Sequence, residues 1–393
     1  MVSTHAEITE AEYQERLDML RMVMRRKGID VVVLTEETNI RWLSGYWVLL
    51  MQDGWSPTAA VIPSSDAQQP ILLMGAEATG EEMSLIQNIR YWEDQPNPDL
   101  TVDKGAVLVE TIQEYAMPNR RLGMELGNGM RVCMEQRDIR YLKAHLPETE
   151  LVDVSENLWQ LRSIKSASEI EKIRRASQIT ADSFREGFGI LREGITEREL
   201  AQYFTKCFFE KGATGISHVM VGFGRHAVKY AHCVPKPVPL QQGEIACVDL
   251  GCSFEGYRTD MYRLACVGQP SAEEAKLARV IATANAAMVA KVKPGIMFSE
   301  LYRIGAQFFT DAGIEHLLPS SIIGHGVGLG LHEWPFISKT SDDMVQAGMV
   351  LAVEPWTVDY TDRSLGLNVE DVVAVTDDGC ELLTNMARDL YLA

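Results

Sequence analysis

The chain has 393 residues, which favours about two domains at ~100–200 residues each, and its length and 46% apolar content suffice for sizeable cores. Lys+Arg 37 against Asp+Glu 55 leaves a formal net charge of −18; such a surface repels nucleic acid and anionic membranes, so neither is expected as a partner. The seven cysteines are odd in number and form no CxxC pair, the N-terminus lacks an apolar signal core, and no apolar run reaches the ~18 residues that cross a bilayer, so the expected compartment is the reducing cytoplasm.

"TEAE" (Thr9 to Glu12) is a capping-box pattern that opens an amphipathic helix running to about Lys27, with Gly28 placed for a left-handed C-terminal position. "DVVVLTE", "AAVIP", "PILLMG", "RLGMEL" and "ELVDV" follow as strands with helical patterns between them. Residues 1–157 therefore read as a smaller α/β domain. The texture changes near Leu161. "SASE", "TERE" and "SAEE" are three further capping boxes, opening helices at Ser166, Thr196 and Ser271, and "SELYRIGAQFFTDAG" gives a fourth helix. Between and after them come hairpin-like strands: "EIACVDLG", "YRTDMYRLACVG", "GMVLAVEPW" and "LNVEDVVAVT". Residues 158–393 thus read as an α+β domain.

The first of these hairpins holds two acids in apolar flanks. With the turn at Phe254-Glu255 and Gly256 following, Asp249 and Asp260 face each other directly across the pair. Like charges so placed destabilise a hairpin, and burying them unpaired costs several kcal/mol. A shared proton, a Lys or Arg, or a divalent metal would resolve the conflict, and the metal neutralises several carboxylates at once. The C-terminal hairpin repeats the arrangement with Glu354 and Glu370, and "IIGHGVGLGLHEWP" between the hairpins carries His325 and His332. Two Asp, two Glu and one His make a hard, oxygen-rich set suited to Mn²⁺, Co²⁺, Fe²⁺ or Zn²⁺ rather than to thiolate zinc. Taken singly, each acid reads as well as a salt-bridge partner or an N-cap, and His325 as a core histidine.

Together, Asp249, Asp260, His325, Glu354 and Glu370 resemble, in order, the five-ligand signature of the pita-bread metallopeptidase family, which includes methionine aminopeptidase, aminopeptidase P, prolidase and creatinase. "LRSIKSASEIEKIRRA" is similar to the family's entry into its catalytic domain, and "GIDVVVLTEETNIRWLSGY" to the N-terminal domain of the aminopeptidase P, prolidase and creatinase branch. The resemblance implies a C-terminal pita-bread catalytic domain behind a creatinase-type N-terminal domain. It implies two divalent ions per chain (manganese first, with cobalt, iron or zinc as alternatives) and a homodimer. Asp260 and Glu370 would bridge the ions, Asp249 would complete one, and His325 with Glu354 the other. A hydroxide between the ions would attack an amide carbonyl, with Glu354 as proton acceptor. His232 would contact the substrate and the oxyanion, and His332 would steady the intermediate or pass a proton. His218 and His226 match nothing firm and read as supports behind the ligands or as structural.

Two positions depart from the family. Peptidases often carry arginine four residues after the second histidine and two before the last ligand; this chain has Phe336 and Asn368. Neither can replace a bidentate guanidinium. The expected activity is therefore an Xaa-Pro peptidase with recognition of a dipeptide carboxylate in doubt. The alternatives are a hydrolase or lyase of a small C–N or C–S compound, and a catalytically silent scaffold. Trp334, beside His332, would offer a cationic substrate an aromatic face, or sit in the core.

Overall fold

A computed structural model of the chain describes residues 8–51, 57–75, 80–92, 104–224, 227, 234–319, 322–359, 361 and 366–393. The chain divides into two compact units, Met1–Arg162 and Ser163–Ala393. The division falls inside helix α5 (Ser155–Ser163), a few residues beyond the boundary expected from sequence.

The first unit opens with α1 (Glu10–Lys27). Its predicted capping box forms reciprocally between Thr9 and Glu12, and Gly28 closes it in the left-handed region at φ 64°. A six-stranded mixed sheet follows in the order β4-β3-β2-β1-β5-β6. Its strands are β1 (Val31–Leu34), β2 (Ala59–Pro63), β3 (Ile71–Met74), β4 (Asn88–Tyr91), β5 (Arg121–Met124) and β6 (Glu150–Asp153). The central β1, β2 and β3 are wholly buried, as their apolar runs demand, while the edge strands β4 and β6 are largely open. Sequence reading missed β4, whose "NIRY" carries too few apolar residues to signal a strand. Helices α2 (Glu37–Ser44), α3 (Lys104–Gln113) and α4 (Gln136–His145) complete the unit.

The second unit repeats one pattern twice: two helices, then strands. In the first half, α6 (Ala167–Phe188) and α7 (Glu197–Glu210) form their expected capping boxes. They bury Phe184, Phe188, Phe204 and Phe208 against a sheet ordered β16-β10-β8-β7. Its strands are β7 (Gly215–Phe223), β8 (Ile245–Phe254), β10 (Met261–Cys266) and β16 (Tyr391–Leu392), with the short β9 (Tyr257–Arg258) paired to β8. In the second half, α8 (Ala272–Val289) and α9 (Phe298–Asp311) pack on a sheet ordered β12-β11-β13-β14-β15. Those strands are β11 (Ile322–Gly326), β12 (Glu333–Ser338), β13 (Val350–Val353), β14 (Asp371–Val375) and β15 (Cys380–Leu382). The two sheets meet where Tyr262 and Glu370 pair as an isolated bridge, with the Glu370 N–H donating to the Tyr262 carbonyl at 3.2 Å. Every acid singled out in the sequence lies at this junction.

Candidate metal centre

The first hairpin corrects the expected register. Phe254 pairs with Tyr257, so Glu255 and Gly256 are the two turn residues, both with positive φ (47° and 84°), the signature of a type I′ turn. Asp249 therefore faces Tyr262, and continuing that register puts Asp260 opposite Gly251. The acids are diagonal neighbours on one face, not a directly opposed pair. Asp260 also stands outside the regular ladder, between β9 and β10. Gly251 allows this: a Cβ there would lie 2.1 Å from the Thr259 carbonyl oxygen. In the second hairpin, Val353 pairs with Asp371, so Glu354 leaves the end of β13 opposite Glu370, which enters β14.

These acids converge with His325 from β11. Its Nε2 lies 3.7 Å from Asp260 Oδ2, 3.6 Å from Glu354 Oε1 and 3.7 Å from Glu370 Oε1. All three distances exceed a hydrogen bond. His325 Nδ1 lies 3.0 Å from the Gly326 carbonyl, which accepts its proton and leaves Nε2 with the lone pair. On the other side, His218 from β7 sits with Nε2 2.7 Å from Asp249 Oδ1 and 3.2 Å from Asp260 Oδ1. His218, which the sequence offers as a support behind the ligands or as structural, lies inside the acid cluster. His332 stands at 4.3 Å, ring centroid to centroid, from His325. His232 and His226 lie outside the described residues.

The electrostatics call for a cation. Burial pushes the Glu354 and Glu370 carboxyls well above the usual range, and Asp260 and Asp249 push further in the same direction. Burial would lower His218, but Asp249 and Asp260 outweigh it and raise the imidazole to about 10. Burial holds His325 down at about 4. Among the described residues, Glu370 Oε1 is buried without a hydrogen-bond partner, and Asp260 Oδ1 makes no hydrogen bond of good geometry, with His218 Nε2 as its charged neighbour at 3.2 Å. A buried oxygen left without a partner costs about 1–3 kcal/mol, more when charged. A carboxylate-rich, imidazole-containing set with unused lone pairs fits a hard or borderline divalent ion, and three overlapping groups bring their ligand atoms within 4.8 Å of one another: His218, Asp249 and Asp260; Asp260, His325 and His332; His325, Glu354 and Glu370.

The centre opens on a cavity of about 270 Å³, lined by His218, Asp249, Asp260, His332, Glu354, Asn368 and Glu370, with Met220, Tyr262, Leu331, Trp356 and Val358 among its apolar walls. No Lys or Arg is among its described lining residues. Asn368 donates from Nδ2 to Glu354 Oε2 at 3.2 Å. Neither Trp334 nor Phe336 lines this cavity. Trp334 packs against the apolar cluster under β12, and Phe336 pairs with His325 across the β11–β12 ladder. The aromatic wall expected of Trp334 is supplied by Trp356.

Comparison with known proteins decides the family. The profile of metallopeptidase family M24 matches residues 171–377, and that of the creatinase/prolidase N-terminal domain matches residues 16–164. The chain belongs to metallopeptidase family M24. Its architecture is the α+β pita-bread arrangement behind a creatinase-type N-terminal domain. The chain is 34% identical to an uncharacterized peptidase of Staphylococcus aureus over 237 residues; the match spans 60% of this chain and 66% of that protein, just under two thirds of its length. It is 27% identical over 384 residues to the uncharacterized peptidase YqhT of Bacillus subtilis, covering 96% of this chain and 99% of the relative. The fold is also that of a solved Xaa-Pro dipeptidase from Bacillus anthracis, with a TM-score of 0.82 at 23% identity over 97% of this chain and 100% of the other. Among the described residues, no helix is long and apolar enough to cross a membrane.

Proposed function

We propose that this M24 chain is a metal-dependent hydrolase of the Xaa-Pro peptidase type, with two divalent ions held by Asp249, Asp260, His325, Glu354 and Glu370. The observation that carries this reading is the convergence of Asp260, Glu354 and Glu370 on His325, with Asp249 beside Asp260 and a buried Glu370 oxygen left without a hydrogen bond beside a cavity. When bound, such ions polarise a carbonyl and make a water at the site more acidic.

The chain's own residues supply the rest. The side chain of Glu354 is 16% exposed against 2% for Glu370, so it meets the cavity and is the group placed to take a proton. The Asn368 amide holds one of its oxygens and leaves Oε1 turned toward His325. His332, exposed on the cavity wall, is placed to donate to charge developing on the substrate oxygen or to the leaving nitrogen. Trp356, Tyr262, Leu331 and Val358 exclude water and give a proline ring an apolar bed. We assign His232 to the same substrate side on sequence grounds. A homodimer in a reducing cytoplasm, with manganese favoured by the oxygen-rich set, completes the proposal.

The cation-free lining favours a second reading within the same chemistry: a compact amide without a free carboxylate as the preferred substrate. One experiment serves both. The protein is reconstituted with Mn²⁺, Co²⁺, Fe²⁺ or Zn²⁺, its metal content is measured, and it is assayed on Xaa-Pro peptides and small cyclic amides. We expect about two ions per chain and turnover in one substrate class. Less than about half an equivalent of any ion would overturn the metal centre.

A further inference from the structure

We propose that His218 is a sixth ligand of the centre, on the Asp249 side, so that each half of the site carries one imidazole. The inference rests on the metal-centre reading above and changes its composition.

The backbone delivers His218 to this place by a specific irregularity. At the start of β7, Ile216 pairs with Cys252; two residues on, His218 pairs with Gly251. Ser217 is therefore an extra residue, a β-bulge. Continuing the register of Ile216 would set residue 218 opposite Leu250, whose side chain is buried in the core beneath α6 and α7. The bulge turns His218 to the face that carries Asp249 and Asp260. Gly251 then makes room for it, since a Cβ there would lie 2.8 Å from His218 Cε1 and 3.1 Å from Nδ1. His218, Gly251 and Asp260 thus form one row across the sheet, with Asp249 one pleat away.

The ring is oriented as a ligand requires. Nε2 faces both carboxylates, at 2.7 Å and 3.2 Å, and its side chain is 11% exposed. Ser217 Oγ lies 3.3 Å from Nδ1, placed to accept its proton and leave the lone pair on Nε2. Asp260 Oδ1, nearest this nitrogen on the second acid, is buried and makes no hydrogen bond of good geometry, so its lone pairs stay available to an ion. Without His218, the Asp249 side offers oxygen alone. With it, His218 and Asp249 match His325 and Glu354 across the shared Asp260 and Glu370. A nitrogen on both sides moves the preference of the second position from Mn²⁺ toward Fe²⁺, Co²⁺ or Zn²⁺.

The test counts nitrogen ligands rather than turnover. X-ray absorption at the zinc edge of fully loaded wild-type protein should give an average of about one imidazole per zinc, against about half if His325 alone ligates. His218→Gln and His218→Phe should each lower that count by half. They should weaken binding of one ion about 10-fold or more, the range in which even an outer-shell partner acts, while the metal-free variants keep their far-UV circular dichroism. A wild-type count near one half overturns the inference without recourse to any variant. So does an unchanged count and affinity in the variants. If the wild-type protein takes up no divalent ion, the metal-centre reading fails as a whole; if it takes up two with one histidine between them, only the role of His218 fails.

Discussion

Asn285, on α8, has no contact with the cavity, yet its removal should damage the site. The side chain is fully buried; its Nδ2 donates to the carbonyls of Val353 at 2.7 Å and Val369 at 3.2 Å, and its Oδ1 accepts from Arg388 Nε at 2.5 Å. Val353 and Val369 immediately precede Glu354 and Glu370, so one amide clamps the two peptide planes that aim both glutamates. Asn285→Ala removes two buried hydrogen bonds, at up to about 1.5 kcal/mol each, while Arg388 keeps Asp371 at 2.6 Å. We expect a loss of about 3 kcal/mol in urea unfolding of the metal-free protein, seen as a lower midpoint at unchanged m. Turnover should fall about 10-fold or more with little change in KM, because the glutamates lose their aim rather than their chemistry. Asn285→Asp is the sharper probe. It keeps shape and the Arg388 contact but presents acceptors to two acceptors, so it should be at least as damaging near neutral pH. The reasoning is refuted if both variants stay within about 0.5 kcal/mol of wild type, or if stability falls while metal affinity and turnover do not.

Three further outcomes are expected. The metal-free protein should lose melting temperature as pH rises from about 7 to about 9.5. His218, lowered by burial but raised on balance by Asp249 and Asp260 to about 10, holds more protons folded than unfolded across this window, and Glu354 and Glu370, raised by burial and then by neighbouring acids, act in the same direction above the ordinary carboxyl range. His325, lowered to about 4, opposes this only below its ordinary range; loading with a divalent ion should flatten the slope, and a metal-free protein that gains stability with pH in this window would contradict the assignment. His332→Ala should cut turnover about 10²–10³-fold while leaving metal content unchanged; parallel loss of metal would make His332 a ligand. Free Gly-Pro should be cleaved about 10²-fold or more less efficiently than Gly-Pro-Ala, since no Lys or Arg is among the described residues facing the cavity; rapid Gly-Pro hydrolysis would mean that a cation reaches the substrate from elsewhere.

Much of this was legible in the sequence because it rests on local rules. Four capping boxes at Thr9, Ser166, Thr196 and Ser271 formed as their spacing requires, and the apolar runs of the first unit became its buried strands. The acids stood out because nothing apolar explains a carboxylate in a core strand. What escaped was set by backbone irregularity. The type I′ turn puts Glu255 at positive φ, where Asn or Asp is usual, so the sequence suggested a turn one residue early and a false face-to-face pairing. The bulge at Ser217, which brings His218 into the site, has no sequence signature. Trp356 and Trp334 both follow a proline or precede one near a ligand, and only the fold tells which meets the cavity. Asn285 reads as an ordinary polar residue in an alanine-rich helix until two strand ends are seen to lean on it.

His332 is followed by Glu333, which is buried and paired with Lys165 at 3.1 Å, while its other oxygen accepts from the Gly330 N–H at 2.8 Å. Lys165 is the third residue of the second unit, and its own N–H is tied to the Gly348 carbonyl. This sets where the molecule can be cut. The capping box at Ser166 invites excision of the second unit from that residue onward, since helix α6 would begin cleanly. Such a fragment would lack the ammonium paired with Glu333, and breaking a buried pair by removing one partner costs about 3–5 kcal/mol, so the strand beginning beside His332 would be the first to come loose. A fragment beginning at Ser163 or earlier keeps the pair. Two fragments differing by a handful of residues, neither with any of those residues in the cavity, should therefore differ in whether they work at all.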